Sequence, residues 1–233
     1  MAKEDLVTSN CRIKQLIFNA DRQKDKSGIF AYNKSGDPVS YTPTGYSNRS
    51  RKYEFRYDAG GRLTDYIGYN PTAVPVRCDF WIKYSYDNRN RIVRDSVYYN
   101  SNYGQALISF ANNVGTTAYE YDNSDRITAV IYKEFSNNVP NGVTGYYKYD
   151  YNGSGNLVTP GAVYDDQKSI YRTSKIWMFL GRNYSVNNLK PALAYNPNGL
   201  PSAFAATAAH GAEMHMLQFI DLSDCEILYE CSK

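Results

Sequence analysis

A recurring tyrosine followed by Asp or Asn is the feature that most constrains the fold of this chain. In each of six copies, a Gly, Asn or Asp lies four residues after the tyrosine. The copies are Tyr32-Asn33 to Gly36, Tyr57-Asp58 to Gly61, Tyr86-Asp87 to Asn90, Tyr121-Asp122 to Asp125, Tyr151-Asn152 to Gly155 and Tyr195-Asn196 to Gly199. The tyrosines lie 25, 29, 35, 30 and 44 residues apart. Such a period is typical of stacked supersecondary units that bury a core only together.

The spacing within each copy predicts a tight turn. Asp or Asn at the first position of a type I turn caps its backbone, and the residue three positions later has to accept a positive φ. Gly, Asn and Asp accept that conformation best. We therefore predict structural turn roles for Asp58, Gly61, Asp87, Asn90, Asp122, Asp125, Gly155 and Gly199. A type I turn closed by a left-handed residue commonly joins two antiparallel strands, so each copy predicts one β-hairpin.

The flanking sequence alternates as a half-buried strand does. Tyr53, Phe55 and Tyr57 fall on one face, and charged residues fall between them. Six hairpins with terminal strands give an antiparallel meander of about 12–14 strands, and sheets of that width usually curl or close. We predict a single all-β domain over residues 1–233 that forms a barrel or a strongly curved half-barrel. Charges at outward positions favour a water-soluble wall over a porin-type one.

Composition excludes several classes of function. The net charge is +3, and no basic run exceeds Arg49-Ser50-Arg51-Lys52, so nucleic-acid binding is not expected. No segment approaches the roughly 20 apolar residues of a transmembrane helix. No leader or lipid-attachment cysteine is recognisable, although a secreted precursor whose leader had been removed would look the same.

The four cysteines leave the disulfide state open. If Cys225 and Cys231 lie on one strand, their sulfur atoms are roughly 20 Å apart and cannot bond to each other. Cys11 can meet one of them if the terminal strands pair to close a barrel. The interpretation we favour is four buried thiols, which includes Cys78.

Residues 161–192 interrupt the hairpin rhythm and predict a long irregular segment with one short helix. We favour a segment that covers an open core, because Trp177, Met178, Phe179 and Leu180 form a contiguous apolar run. The alternative is a sugar-sized groove, because flat aromatic faces stack on pyranose rings. In that case Trp177, Tyr171 and Trp81 are the candidate ligand-binding residues.

Catalytic and cofactor motifs are weak throughout. His210 and His215 lie near Glu213, but their order is not His-Glu-x-x-His, so we expect neither a metal site nor a cofactor. Neither Ser169 nor Cys225 has the sequence context of a nucleophile. A pair of carboxylates near Trp177 or Trp81 remains the one enzymatic alternative.

Three arginines, Arg62, Arg91 and Arg126, recur at equivalent positions after the turns. A ladder of cross-strand ion pairs is the interpretation we favour for them. The alternative is a stripe that binds an anionic ligand.

The stretches from Phe55 to Leu63 and from Tyr84 to Ile92 resemble the tyrosine-aspartate (YD) repeats of bacterial secreted proteins. With Tyr164-Asp165-Asp166 to Asn187-Asn188 and Tyr195 to Pro201, they resemble more closely a family of extracytoplasmic lipoproteins of unknown function, DUF4595. The resemblance implies a porin-like β-barrel fold and a location outside the inner membrane, at the periplasm or cell surface, with a lipid anchor in the precursor.

These observations lead us to expect a non-catalytic extracytoplasmic binding or surface-scaffold protein. Its candidate ligand is a glycan or another cell-envelope protein. The alternative is a carbohydrate-active enzyme that uses a carboxylate pair. The sequence leaves the oligomeric state open.

Overall fold

The computed structural model describes residues 11–18, 26–45, 51–72, 76–102, 113–136, 139–189, 192–204, 215–216, 220–222 and 224–232. The strands within these ranges are β1 (Cys11–Phe18), β2 (Lys26–Tyr32), β3 (Pro38–Thr44), β4 (Lys52–Tyr57), β5 (Leu63–Tyr69), β6 (Arg77–Tyr86), β7 (Ile92–Asn102), β8 (Asn113–Tyr121), β9 (Ile127–Ser136), β10 (Val139–Lys148), β11 (Tyr164–Lys168), β12 (Asn187–Leu189), β13 (Ala192–Tyr195), β14 (Pro201–Phe204), β15 (His215–Met216), β16 (Ile220–Asp221) and β17 (Cys225–Cys231). A 3₁₀ turn, Ile170–Thr173, precedes the short helix α1 (Lys175–Gly181). The chain is therefore all-β, as the alternation predicted.

Contacts between residues divide the chain into two compact units. The central unit is Pro38–Lys148, and the terminal unit combines Met1–Asp37 with Tyr149–Lys233. In the central unit the strand order is β3-β4-β5-β6-β7-β8-β9-β10, so every strand pairs antiparallel with its neighbour in sequence. In the terminal unit the order is β2-β1-β17-β14-β13. The predicted antiparallel meander is confirmed.

The described strands do not close into a barrel. In the central unit β10 has β9 as its only described partner, and in the terminal unit β13 has β14 as its only described partner. Each unit therefore keeps an open edge, and of the two predicted forms the closed barrel is wrong for the described part of the chain.

A disulfide joins the first and last described strands. Strands β1 and β17 pair antiparallel with Cys11 opposite Cys231, and these two residues are bonded. Cys78 and Cys225 are buried thiols. The favoured prediction of four thiols is wrong, because pairing of the terminal strands brings two residues 220 positions apart face to face. This pairing occurs without closure of a barrel.

All six repeat copies form the same turn. In the second copy, Asp58 N donates to Arg62 O and Gly61 N donates to Asp58 O, each at 3.0 Å. The residues four positions after the tyrosines all have positive φ: Gly36 (84°), Gly61 (75°), Asn90 (59°), Asp125 (59°), Gly155 (78°) and Gly199 (73°). The turn geometry inferred from spacing is thus present in every copy.

The three hairpins of the central unit that are closed by repeat turns each carry a β-bulge. Arg56 pairs with Asp65, whereas the next residue, Tyr57, pairs with Leu63, so Thr64 is the extra residue of the outgoing strand. The same shift recurs in the next two hairpins, between Ser85 and Tyr86 and between Glu120 and Tyr121. Bulges increase local twist, and their repetition bends successive hairpins in the same way.

The repeat tyrosines connect neighbouring hairpins through their hydroxyl groups. Tyr86 Oη donates to Leu63 O at 2.7 Å, and Leu63 is the first residue after the preceding turn. The equivalent bonds join Tyr57 to Pro38 (2.7 Å) and Tyr121 to Ile92 (2.5 Å), and Tyr229, which lies outside the repeat, bonds in the same way to Pro201 (2.6 Å). Each hydroxyl therefore satisfies a backbone carbonyl at the point where a strand leaves its turn.

An aromatic cluster fills one face of the β4–β6 hairpins. The rings of Phe55 and Tyr66 stack with centroids 5.0 Å apart, and Phe80 meets Tyr66 edge-on at 5.2 Å. Gly68 lies directly across the ladder from Phe80. A Cβ atom at Gly68 would lie 2.3 Å from Phe80 Cε1, so glycine is what allows the ring to lie against the backbone.

Gly68→Ala is expected to lower the free energy of unfolding by about 1–3 kcal/mol, because the Phe80 ring would have to leave its position in a packed core. Gly153→Ala is the matched control, since no atom lies within 4 Å of the added Cβ at Gly153. Urea unfolding of both variants measures the difference. Equal stability of the two variants would contradict the packing role.

Tyr86→Phe is expected to cost about 1 kcal/mol of stability, because it removes one hydrogen bond and leaves the Leu63 carbonyl without that donor. Tyr146→Phe provides the control, because the Tyr146 side chain is 61% exposed. Thermal unfolding of both variants tests the assignment. If Tyr146→Phe lowered the stability as much as Tyr86→Phe, the hydrogen bond from Tyr86 to the preceding hairpin would not be the cause of the loss.

Candidate functional site

The predicted ligand-binding residue Trp81 lies within a group of charged side chains on strands β4, β5 and β6. We call Glu54, Arg56, Asp65, Trp81 and Lys83 the Trp81 network. Across the ladder Arg56 is opposite Asp65, and Asp65 is opposite Lys83. The antiparallel register therefore places oppositely charged residues side by side on one face of the sheet.

Contacts within the Trp81 network are short. The indole Nε1 of Trp81 donates to Asp65 Oδ1 at 2.7 Å, and Lys83 Nζ lies 3.5 Å from the same oxygen. The Arg56 guanidinium lies 4.9 Å from the centre of the Trp81 ring system, and Arg56 Nε is 2.7 Å from Glu54 Oε1. The negative charges of Glu54 and Asp65 equal in number the positive charges of Arg56 and Lys83. The arrangement stabilises a buried indole by a hydrogen bond at its edge and a cation on its face.

Burial limits what Trp81 can bind in this conformation. Trp81 is 2% exposed, whereas the Arg56 side chain that lies against its ring is 40% exposed. A sugar ring can therefore stack on Trp81 only if Arg56 moves away. The Trp81 network is the candidate functional site, and the partly exposed Arg56 lies over its indole ring.

The other two predicted ligand contacts lie inside the terminal unit. Trp177 is 0% exposed and Tyr171 is 3% exposed. Trp177 meets Phe30 edge-on at 5.2 Å, and a Cβ at Gly181 would lie 2.4 Å from the Tyr171 ring. Neither ring offers a face to a ligand. Their burial agrees with the predicted segment that covers an open core. It does not agree with the alternative, a groove in which these rings would stack on a sugar.

Polar side chains hold the segment from 161 to 192 in place. Asn156 Nδ2 donates to Asn187 Oδ1 at 3.0 Å, and Asn187 N donates to Asn156 Oδ1 at 2.9 Å. Ser185 Oγ accepts from Leu157 N at 3.0 Å, and the buried Arg172 donates through Nε to Ser185 O at 3.2 Å. Asn187-Asn188 is a feature that the sequence singles out in this segment. Nothing in the sequence points to Asn156, which bonds to Asn187.

The turn aspartates are occupied by their own turns. Asp87 Oδ1 accepts from Arg89 N and Arg91 N, both at 2.9 Å, and Oδ2 accepts from Arg91 Nε at 2.8 Å. Asp58 makes the same three contacts in its turn. Backbone hydrogen bonds, followed by the arginine, lower the pKa of both carboxyls. A carboxyl held in its charged form in this way is unsuited to act as a general acid.

The three repeated arginines make ion pairs mainly within their own turns, and of the three only Arg91 has a described ion pair to the next hairpin, so the ladder that we favoured is not continuous in the described residues. Each is bonded to the aspartate four residues before it in its own turn: Arg62 to Asp58, Arg91 to Asp87 and Arg126 to Asp122. Arg62 and Arg91 also lie over the tyrosine ring of the next hairpin, at 5.1 Å from Tyr86 and 4.9 Å from Tyr121. The tight turn brings each arginine back to its own aspartate, and Arg91 also pairs with Asp125 of the next repeat turn at 3.2 Å.

A buried carboxylate in the central unit had no sequence signal. Asp95 is 4% exposed and accepts from Tyr119 Oη at 2.5 Å and from Thr117 N at 3.1 Å. Tyr84 is its partner across the ladder, and burial raises the pKa of Tyr84 well above its usual value. In the sequence, Asp95 lies between Arg94 and Ser96 as a surface residue would. Only the pairing of β6, β7 and β8 surrounds it with tyrosines.

The remaining predictions concern metals and membranes. His210 and Glu213 lie outside the described residues, and His215 is described through its backbone alone. Within the described ranges, no three His, Cys, Asp or Glu side chains are grouped as metal ligands. No helix in the same ranges has the length and apolar content needed to cross a bilayer.

Two substitutions at Asp87 separate the backbone cap from the ion pair. Asp87→Asn keeps an oxygen for the two backbone N–H groups, whereas Asp87→Ala removes it, so Ala is expected to destabilise the chain more. The pKa of Asp87 is lower in the folded chain than in the unfolded chain. The backbone hydrogen bonds to its charged carboxylate, together with the ion pair to Arg91, therefore stabilise the fold above about pH 4, and this contribution is lost as pH falls through the folded pKa.

Urea midpoints at neutral pH and at about pH 2.5 measure both effects. Wild type is expected to exceed Asp87→Asn at neutral pH, and the gap is expected to shrink in acid. A gap that is independent of pH would exclude the charge of the Asp87 carboxylate as its cause.

Comparisons with known proteins leave the family open. No protein-family profile matches the chain, and no curated protein matches it. Among solved structures, a DUF3836 family protein from Parabacteroides distasonis matches 43% of this chain and 91% of its own length, at 9% identity and a TM-score of 0.31. The TcdB2-TccC3-Cdc42 complex matches 70% of this chain over 8% of its own, at 13% identity and a TM-score of 0.26. Scores this low do not establish a shared fold.

Proposed function

We propose that the chain is a non-catalytic extracytoplasmic binding or surface-scaffold protein. The observation that carries the proposal is the use of the repeat carboxylates by the fold. Asp58, Asp87 and Asp122 each bind backbone N–H groups and an arginine within their own turns. Asp65 is likewise bound by Trp81 and Lys83. Acids engaged in this way stabilise the fold and are not positioned to transfer protons to a substrate.

The disulfide between Cys11 and Cys231 supports a location outside the cytoplasm. Structural disulfides persist in oxidising compartments and are rare where glutathione and thioredoxin keep thiols reduced. The resemblance to extracytoplasmic lipoproteins points the same way. Alkylation of the natively isolated chain without reductant should label at most Cys78 and Cys225. Labelling of all four cysteines would contradict this location.

A glycan or another cell-envelope protein is the proposed ligand, and the Trp81 network is the proposed contact. Arg56 covers the indole and keeps a substantial exposed fraction, so displacement of Arg56 would present a flat aromatic face. Such faces stack on the apolar faces of sugars. Trp177 and Tyr171 are not proposed as contacts, because both are buried in the terminal unit.

A glycan array followed by a hydrolysis assay on each hit tests this function. Binding without turnover is the expected result, whereas turnover would support the alternative of a carbohydrate-active enzyme. Arg56→Ala should strengthen binding by uncovering Trp81, and Arg62→Ala is the matched control, because Arg62 also lies over an aromatic ring, that of Tyr86, but outside the Trp81 network. Glycan binding that is unchanged in Arg56→Ala would exclude Trp81 as the contact.

Loss of the disulfide is expected to lower the free energy of unfolding by about 2–5 kcal/mol, because the bond restricts the unfolded chain. The double variant Cys11→Ser, Cys231→Ser should show this loss in urea unfolding. Reductant should weaken the wild type by a similar amount and leave the double variant unchanged. A wild type that is insensitive to reductant would show that the bond adds no stability.

A further inference from the structure

The fifth repeat turn contains an Asn-Gly pair whose side-chain amide is held by two hydrogen-bond donors. Asn152 and Gly153 are both exposed. Asn152 Oδ1 accepts from Ser154 N and from Asn156 N, each at 3.0 Å. Two donors on one carbonyl oxygen draw electron density from the amide carbon Cγ and stabilise the negative charge that a nucleophile would place on Oδ1. The turn therefore activates the amide of Asn152 toward attack.

The backbone nitrogen of Gly153 is the nucleophile within reach of this amide. It is linked to Cγ through the Asn152 backbone, so its attack on Cγ closes a five-membered ring. Glycine has no side chain to crowd the approach, and a Cβ atom at Gly153 would meet nothing within 4 Å. In the described ranges Gly153 N donates to no acceptor, so ring closure breaks no hydrogen bond of this N–H.

We propose that Asn152 is a site of spontaneous deamidation in the folded chain. Gly153 N gives its proton to hydroxide and bonds to Asn152 Cγ, and the Cγ–Nδ2 bond breaks as Nδ2 takes a proton from water and leaves as ammonia. Water then opens the resulting succinimide at either of its carbonyls, which leaves aspartate or isoaspartate at position 152. The sum consumes water and releases ammonia, with no oxidant or reductant. This reaction requires neither the ligand nor the compartment proposed above.

The sixth turn has the same cap without the nucleophile. Asn196 Oδ1 also accepts two backbone N–H groups, from Asn198 at 2.9 Å and from Leu200 at 3.0 Å. Pro197 follows Asn196, and proline has no N–H to lose. Asn196 is therefore expected to stay intact. Pro197 also shows that such a turn accepts proline at the position that Gly153 occupies in the fifth turn.

Asn198-Gly199 is another Asn-Gly pair, but its atoms are engaged in other contacts. Gly199 N donates to Asn196 O at 3.0 Å, so attack by this nitrogen would break a hydrogen bond of the turn. Asn198 Nδ2 donates to Cys231 Sγ at 3.3 Å. The fold therefore favours reaction at Asn152 over reaction at Asn198, although the two share the same dipeptide.

Conversion of Asn152 is expected to loosen the segment from 161 to 192. Asn156, which donates to Asn152 Oδ1, is 3% exposed and exchanges two hydrogen bonds with Asn187. Isoaspartate adds a methylene group to the backbone and so displaces the cap oxygen. Aspartate adds a charge without the arginine that the Asp-capped turns have four residues later, since this turn has Asn156 there. Both products therefore weaken the contact between the fifth turn and this segment.

Peptide mapping of the full chain by mass spectrometry tests the site. After days in mildly alkaline buffer, the folded chain should have converted at least about tenfold more Asn152 than Asn198, because Asn152 has both the donors and an unbonded nucleophile. In urea both pairs lose their turns and should react at similar rates. Equal conversion in the folded chain, conversion at neither residue, or a tenfold excess that persists in urea would overturn the proposal.

Gly153→Pro separates the reaction from its structural effect. It should abolish conversion at Asn152 and preserve the circular dichroism of the wild type, as Pro197 does in its own turn. Gly153→Val keeps the N–H but crowds it, so it should slow conversion without abolishing it. Hydrogen exchange at Asn187 N, which donates to Asn156 Oδ1, should accelerate in aged wild type and not in aged Gly153→Pro. Unchanged exchange in fully converted wild type would overturn the expected loosening.

Discussion

The side-chain oxygen that follows each repeat tyrosine is the contact on which the rest of the fold depends. In five of the six turns, one Asp or Asn Oδ1 accepts the backbone N–H groups two and four residues later, as Asp58 does for Gly60 and Arg62. This cap fixes the reversal, and the residue of positive φ then aligns the outgoing strand. The bulge after the turn and the tyrosine hydroxyl bonded to the preceding hairpin both follow from that alignment. The geometry of each turn thus determines the contacts that its hairpin makes with the preceding one.

The same contacts explain why residues that look chemically useful are not free for chemistry. Arg91 is bonded to Asp87 and Asp125 and lies over Tyr121. Contacts among aspartate, arginine and tyrosine side chains therefore connect one hairpin to the next. The Trp81 network differs, because one of its members, Arg56, lies over the Trp81 ring while its side chain is 40% exposed. This difference is why the proposed ligand contact is placed there.

Each unit ends its sheet in a different way. The terminal unit pairs β1 with β17 in the middle of its sheet and joins them by a disulfide, whereas its edge strand β13 has β14 as its only described partner. The central unit leaves β10 with exposed tyrosines on both faces. An antiparallel meander needs only one partner for its last strand, and closure into a barrel requires a further pairing that the described strands do not make.

The sequence by itself determined the hairpins, because turn chemistry acts over four residues and strand alternation over two. The positions of Gly61, Asn90 and Asp125 and the all-β class followed from these short-range rules. Tertiary structure decided what depends on distant strands meeting: the Cys11–Cys231 bond, the burial of Asp95 beneath Tyr119, and the cover of Arg56 on Trp81. It also decided that Trp177 and Tyr171 lie inside the terminal unit, since burial depends on packing around a residue and not on the residue itself.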